Sequence, residues 1–189
     1  MSENILLIGT GALSTLFAAR LSEAGHHISM LGTWKDGIHA LNQNGARVSE
    51  LNGKERAFQV HATDEPSEVR NVKHAIVLVK SWQTKRVAEK LKGILAPDGI
   101  VLTLQNGLGN REALARDLGA ERVALGVTTT GATLLGPGHV KVGGEGILSL
   151  EQNQALGPLE AALRSSNFNL QIVQNAQSLV WGKLIINAA

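Results

Sequence analysis

The chain has 189 residues, 43% of them apolar, which is enough for one complete core and a little more. Eighteen Lys and Arg stand against sixteen Asp and Glu, no stretch concentrates basic residues, and three Phe, three Trp and no Tyr offer few platforms for bases, so nucleic acid is excluded as a partner. The absence of cysteine excludes disulfides, thiolate metal sites and cysteine nucleophiles.

Strand and helix patterns alternate from the start. Asn4–Ile8 predicts a buried strand, being short, continuously apolar and closed by Gly9. Ala12–Ala24 predicts a helix, with Leu13, Leu16, Phe17 and Leu21 near helical spacing and Gly25 as its stop. His27–Leu31 reads as a second strand, 32–37 as a loop and Ile38–Asn44 as a short helix. Arg47–Leu51 and Glu55–Ala62 read as a hairpin turning at Asn52-Gly53. Asp64-Glu65-Pro66 starts another turn, and Ala75–Val79 predicts a central strand. A helix is expected over Thr84–Leu95, closed by Pro97-Asp98-Gly99, then a strand over Ile100–Leu104. A helix at Glu112–Leu118 leads to a strand at Arg122–Gly126. The Gly- and Thr-rich stretch 127–146 predicts antiparallel strands, with 136–138 and 143–146 as hairpin turns. A helix at Ala155–Arg164, a strand at Leu170–Val173 and a helical pattern over Asn175–Ala189 complete the chain.

This alternation predicts a Rossmann-type doubly wound, mainly parallel α/β sheet, whose ligand lies beyond the carboxyl ends of the strands. Three loops converge there: Gly9–Ser14, Lys80–Gln83 and Asn106–Asn110. The first has the form of a dinucleotide cradle. Gly9 permits the tight turn and Gly11 lets the backbone approach a pyrophosphate. The helix from Ala12 and Leu13 then presents free N–H groups and a positive dipole end. Ser14 stands where a third Gly or Ala is usual, and it either packs closely or donates to phosphate.

Cofactor choice is read after the second strand. NAD enzymes place an acid there for the ribose hydroxyls. Here the run is Gly32-Thr33-Trp34-Lys35, with no carboxylate before Asp36, which favours NADP. Its 2′-phosphate would be met by the Thr33 hydroxyl or by Lys35, although Lys35 also reads as an ordinary solvated lysine. His26, His27, His39, His61, His74 and His139 are scattered without ligand spacing, so no metal site is expected. Neither a Gly-x-Ser-x-Gly elbow nor a phosphate loop ending in Gly-Lys-Ser/Thr occurs. No charged lead precedes a long apolar run, and no stretch approaches the ~20 apolar residues of a membrane span, so a cytoplasmic protein is expected.

Four segments taken in order resemble the ketopantoate reductase (2-dehydropantoate 2-reductase) family: Gly9-Thr10-Gly11-Ala12, then 79–84 (Val-Lys-Ser-Trp-Gln-Thr), then 104–109 (Leu-Gln-Asn-Gly-Leu-Gly), and last 181–187 (Trp-Gly-Lys-Leu-Ile-Ile-Asn). The resemblance implies an NADP-binding Rossmann domain over 1–174, with 175–189 as the first helix of a helical second domain. It implies hydride transfer from NADPH to the C2 ketone of ketopantoate, giving pantoate for pantothenate and coenzyme A synthesis. By resemblance Lys80 and Gln83 contact the cofactor, and Asn106 the nicotinamide ribose or the substrate. Lys183 and Asn187, four apart, share a helix face among apolar neighbours. Lys183 is the expected general acid and oxyanion stabiliser, its pKa lowered by desolvation, and Asn187 the residue that orients the substrate. The expected partner is a small 2-oxo acid. A paralogous reductase of another 2-oxo acid and a non-catalytic NADP-binding module remain open. The last helix is expected to expose Leu179, Trp181 and Ile185, which invites self-association, a homodimer included, and predicts low activity for residues 1–189 alone.

Overall fold

The computed structural model describes residues 2–188 and, within the last helix, side chains as far as Leu184. In chain order the elements begin with β1 (Asn4–Ile8), α1 (Ala12–Glu23), β2 (His27–Leu31), α2 (Lys35–Asn44), β3 (Ala46–Ser49), β4 (Glu55–Phe58) and β5 (His61–Thr63). Next come β6 (Val72–Val77), α3 (Thr84–Ile94), β7 (Leu95–Thr103), α4 (Asn110–Leu118) and β8 (Val123–Thr128). The last are β9 (Ala132–Gly136), β10 (His139–Val142), β11 (Ile147–Glu151), α5 (Gly157–Ser165), β12 (Asn169–Val173) and α6 (Ala176–Ala188).

Eight strands form the main sheet, in the order β12-β11-β8-β7-β6-β1-β2-β5. The six from β5 to β8 are parallel, and β11 turns the sheet antiparallel against β8. β1 sends Ile5 and Leu7 into one core and Leu6 and Ile8 into the other. Burial on both faces explains why a continuous apolar run, without alternation, makes a central parallel strand. On one face α3 and α4 supply Val87, Leu91, Ile94, Leu114 and Leu118. On the other α1 and α5 supply Leu16, Phe17, Leu159 and Leu163, with the Phe17 and Phe168 rings tilted at 4.3 Å between centroids. The chain leaves β1 toward β2 and later returns to its other side as β6. The crevice between β1 and β6 is thus the topological switch point, where doubly wound sheets bind ligands.

A second, four-stranded sheet of order β4-β3-β10-β9 covers the outer side of α1. It departs from the sequence reading in three ways. Glu55–Ala62 is not one strand: β4 pairs antiparallel with β3, whereas β5 crosses to the main sheet and runs parallel to β2. There the Asn42 side chain donates to the Ala62 carbonyl at 2.7 Å and accepts its N–H at 2.8 Å, so α2 closes the open edge of β5. The turn at 136–138 does join antiparallel β9 and β10, but the glycines at 143–146 make no hairpin; they carry the chain from one sheet to the other as β11, a strand the composition hides. α2 also starts at Lys35, three residues before the predicted onset. Among the described residues no helix is long and apolar enough to cross a membrane.

Candidate active site

A cavity of about 630 Å³ opens at the switch point, within the range of small-molecule and cofactor sites. It is lined by Gly9–Leu13 after β1, Gly32–Trp34 after β2, Leu78–Ser81 and Gln83 after β6, and Gln105 and Asn106 after β7. The three loops singled out in the sequence meet here.

The cradle is set by Gly9. Its φ of +123° lies where side-chain-bearing residues are strained, and a Cβ would stand 2.9 Å from Ser14 Oγ and 3.3 Å from Val79 Cγ1. The Gly9 N–H donates to the Leu31 carbonyl at 2.8 Å, tying the turn to the end of β2. Gly11, the residue before α1, has open space where its Cβ would be and gives the helix no side-chain cap. The first-turn amides of α1 therefore face the cavity without an internal acceptor, as pyrophosphate binding requires. Among the described residues Ser14 Oγ is buried under the turn without a hydrogen-bond partner, and it lies off the cavity wall.

A buried polar chain locks the other two loops together. Thr103 Oγ1 donates to Gln105 Oε1 at 3.1 Å, and Gln105 Nε2 donates to the Val79 carbonyl at 3.1 Å and to Thr84 Oγ1 at 2.9 Å. Thr84 Oγ1 donates to Asn110 Oδ1 at 2.8 Å, and Asn110 Nδ2 donates to the Asn106 carbonyl at 3.0 Å. Each side chain is used on both sides, which holds the exposed Asn106 at a fixed place on the rim.

A smaller annex of about 210 Å³ shares Leu104, Gln105 and Asn106 with the main cavity and is closed by Val127, Thr128, Val180, Lys183 and Leu184. α6 reaches it by packing Ala176 and Val180 on Leu125 of β8. Lys183 Nζ donates to the Thr128 carbonyl at 2.5 Å, and burial pushes its ammonium below the ordinary lysine range. One fixed, partly desolvated cation thus lines the annex, which shares Asn106 with the main cavity.

The ketopantoate reductase PanE/ApbA family model matches residues 5–155. The chain belongs to the ketopantoate reductase family. It is 33% identical over 192 residues to the 2-dehydropantoate 2-reductase of Archaeoglobus fulgidus, covering 99% of this chain and 62% of that protein. The Halobacterium salinarum 2-dehydropantoate 2-reductase is 30% identical over 188 residues, covering 97% and 62%. Among solved structures, the PanE/ApbA family ketopantoate reductase of Ralstonia eutropha superposes with a TM-score of 0.88 at 29% identity, covering 97% of this chain and 61% of that one. D-mandelate dehydrogenase, solved with NADH and anilino(oxo)acetate, gives the same score at 25% identity and the same coverage. The chain spans about 62% of the length of the curated relatives it matches.

In this member of the family Gly9, Thr10, Gly11, Ala12, Leu13, Thr33, Lys80, Gln83 and Asn106 all line the main cavity, and Lys183 lines its annex. Lys35 does not; its ammonium is paired with Asp64 outside the wall. Asn187 lies on α6, but its side chain is outside the described ones. The sequence reading passed over Arg86, Lys90 and Thr130 on the cavity wall and the Gln105–Thr84–Asn110 chain. Arg86 and Lys90 carried a usable signal, a basic pair four apart on a predicted helix.

Proposed function

We propose that this chain is the cofactor-binding domain and the catalytic helix of an NADPH-dependent reductase acting on the C2 ketone of 2-dehydropantoate, in pantothenate biosynthesis in the cytoplasm. Residues 1–174 are the cofactor domain, and 175–189 begin a helical domain. The observation that carries the reading is Lys183, fixed on the Thr128 carbonyl in the annex that shares Asn106 with the main cavity. The names of the curated relatives supply the substrate.

The cradle fits a dinucleotide: the first-turn amides of α1 after Gly11 lack internal acceptors, and among the described residues no carboxylate lines the wall. Reduced nicotinamide, when bound, supplies a hydride to the ketone carbon. As that carbon gains hydride, negative charge grows on the carbonyl oxygen. The Lys183 ammonium stabilises the charge and gives its proton to the oxygen, which completes the alcohol. Asn106 orients the ribose or the substrate from the rim, and Asn187, one turn beyond Lys183, serves the substrate. The low-dielectric annex strengthens the ammonium's pull on that oxygen.

A second reading has one observation in its favour: D-mandelate dehydrogenase shares the fold at a TM-score of 0.88 and was solved with NADH. The scaffold therefore also suits a reductase of another 2-oxo acid. Oxidation of NADPH and of NADH against a panel of branched and aromatic 2-oxo acids tests both, with Lys183→Ala as control. Turnover of 2-dehydropantoate lost in Lys183→Ala supports the first reading. Preference for an aromatic 2-oxo acid replaces it with the second, and cofactor binding without turnover of any acid leaves a binding module.

A further inference from the structure

Cofactor choice within the proposed reductase rests on the charges around the adenosine end of the cavity. Among the described residues Lys80, Arg86 and Lys90 line the wall, and neither Asp nor Glu does. Arg86 and Lys90 stand four apart on α3, so they share one face of the helix. Like charges at that spacing destabilise a helix, and neither residue enters an ion pair among the described residues. An anion placed between them turns that repulsion into attraction.

Their location points to the anion. Thr63 ends β5, and its carbonyl accepts the Gly32 N–H at 2.9 Å, so the following Asp64 sits beside the end of β2. That is where dinucleotide folds read the adenosine ribose. α3 starts at Thr84, which is bonded to Gln105 and Asn110, and runs away from them to pack against the turn at 66–68 just after Asp64, while Lys90 lines the same cavity as Thr33 and Trp34. Lys90 therefore belongs to this end, with Thr33 and Trp34, and not to the end near Asn106 and Lys183. The Asp64 carboxylate, next to the end of β2, would repel a phosphate placed there. Lys35 takes that carboxylate in an ion pair off the wall, and that hydrogen bond, with Lys90 adding to it, holds the carboxyl below its ordinary value.

Resting on the NADPH reading above, we propose that Arg86 and Lys90 clamp the adenosine 2′-phosphate while Lys35 neutralises Asp64, so that α3, and not the residues after β2, selects NADPH over NADH. A phosphate monoester brings up to about two negative charges and three acceptor oxygens. The Arg86 fork can take two of the oxygens, and the Lys90 ammonium serves as a point charge.

Equilibrium binding of NADPH and NADH to the 189-residue chain, by titration calorimetry, tests this without requiring turnover. The wild type is expected to bind NADPH more tightly than NADH. Arg86→Ala and Lys90→Ala should each weaken NADPH by about tenfold and the double variant by roughly a hundredfold, with NADH changed less than about twofold. Lys85→Ala, on the same helix but off the wall, should change neither. Equal losses for both cofactors, or unchanged NADPH binding in the double variant, would overturn the clamp. If selectivity follows this pattern while 2-dehydropantoate is not reduced, the reductase reading fails and the clamp stands. If neither cofactor binds the wild type, both fall.

Discussion

Lys183 of α6 donates to the main-chain carbonyl of Thr128, at the end of β8, across 55 positions of sequence at 2.5 Å. A carbonyl oxygen accepts but carries no full negative charge, so the bond fixes the ammonium without neutralising it. In the proposed reaction the lysine therefore keeps its proton available for the developing alkoxide.

Removing that group should be felt in the chemical step. In NADPH oxidation with 2-dehydropantoate, Lys183→Ala is expected to lower kcat by about 10²–10⁴-fold, as for loss of a general acid that also stabilises an oxyanion. NADPH affinity should stay within about threefold, since the lysine lies in the annex and not in the cradle. A parallel loss of NADPH binding would mean that α6 supports the fold and not the chemistry.

The pH profile of the same reaction follows from burial. Desolvation lowers the Lys183 pKa from its ordinary 10.5. The acid must be protonated, so kcat should be flat at lower pH and fall as pH rises through a midpoint below that value. Lys183→Arg, charged throughout the accessible range, should lose activity but also lose this alkaline limb. A limb that persists in the variant assigns the titration to another group.

Gly9→Ala tests the cradle. The residue would have to occupy φ +123° with its Cβ against Ser14 and Val79, a strain of about 1–3 kcal/mol. Relief moves the turn away from the Leu31 carbonyl and misaligns the first-turn amides. A lower Tm and NADPH binding weakened about tenfold or more are expected, read by thermal denaturation and calorimetry. Gly11→Ala, which has open space for a Cβ, should leave Tm nearly unchanged while obstructing the cofactor.

The polar chain behind Asn106 should show in stability. Asn110→Ala leaves the Thr84 hydroxyl only the Ser81 carbonyl as acceptor and frees the Asn106 carbonyl, at a cost of about 1 kcal/mol in urea unfolding. Thr84→Val removes the hydroxyl between Gln105 and Asn110 and should cost a similar amount. If either loss merely added to that of Gln105→Leu in a double variant, the side chains would not be coupled.

Acid should destabilise the far end of the sheet. His26 Nδ1 accepts the Glu3 N–H at 3.1 Å while Nε2 faces Ser165 Oγ at 3.1 Å, an arrangement that needs the neutral ring. Burial lowers the pKa of His26 and of His74 below the ordinary 6.5, against the opposing pull of Glu3. The unfolded chain then binds more protons below that value, so this stability is complete above about pH 6.5 and is lost as pH falls toward the lowered folded values. The Tm should drop between pH 7.5 and 5.5, and the drop should shrink in His26→Gln, whose amide can donate and accept without titrating.

How much of this could be read in advance depends on how far each signal reaches along the chain. The strands around β1, the helices between them and the glycine turn are written in local terms, as apolar period, turn chemistry and spacing within a dozen residues, while Gln83, Asn106 and the Lys183 segment stand out by resemblance to the family. Those signals suffice because a parallel strand buried on both faces leaves few alternatives for a short apolar run. Pairing across the fold is another matter. Whether β5 joins β4 or β2, and whether 143–146 closes a hairpin or bridges two sheets, turns on partners far away in sequence, such as Asn42 on the edge of β5. The same holds for charge. Lys35 and the Arg86–Lys90 pair are alike in the sequence as exposed basic residues, and only the fold gives the first an aspartate and turns the other two toward the cavity. A side chain's electrostatic role depends on what faces it, and tertiary packing alone brings Asp64, Lys35 and Lys90 to one corner.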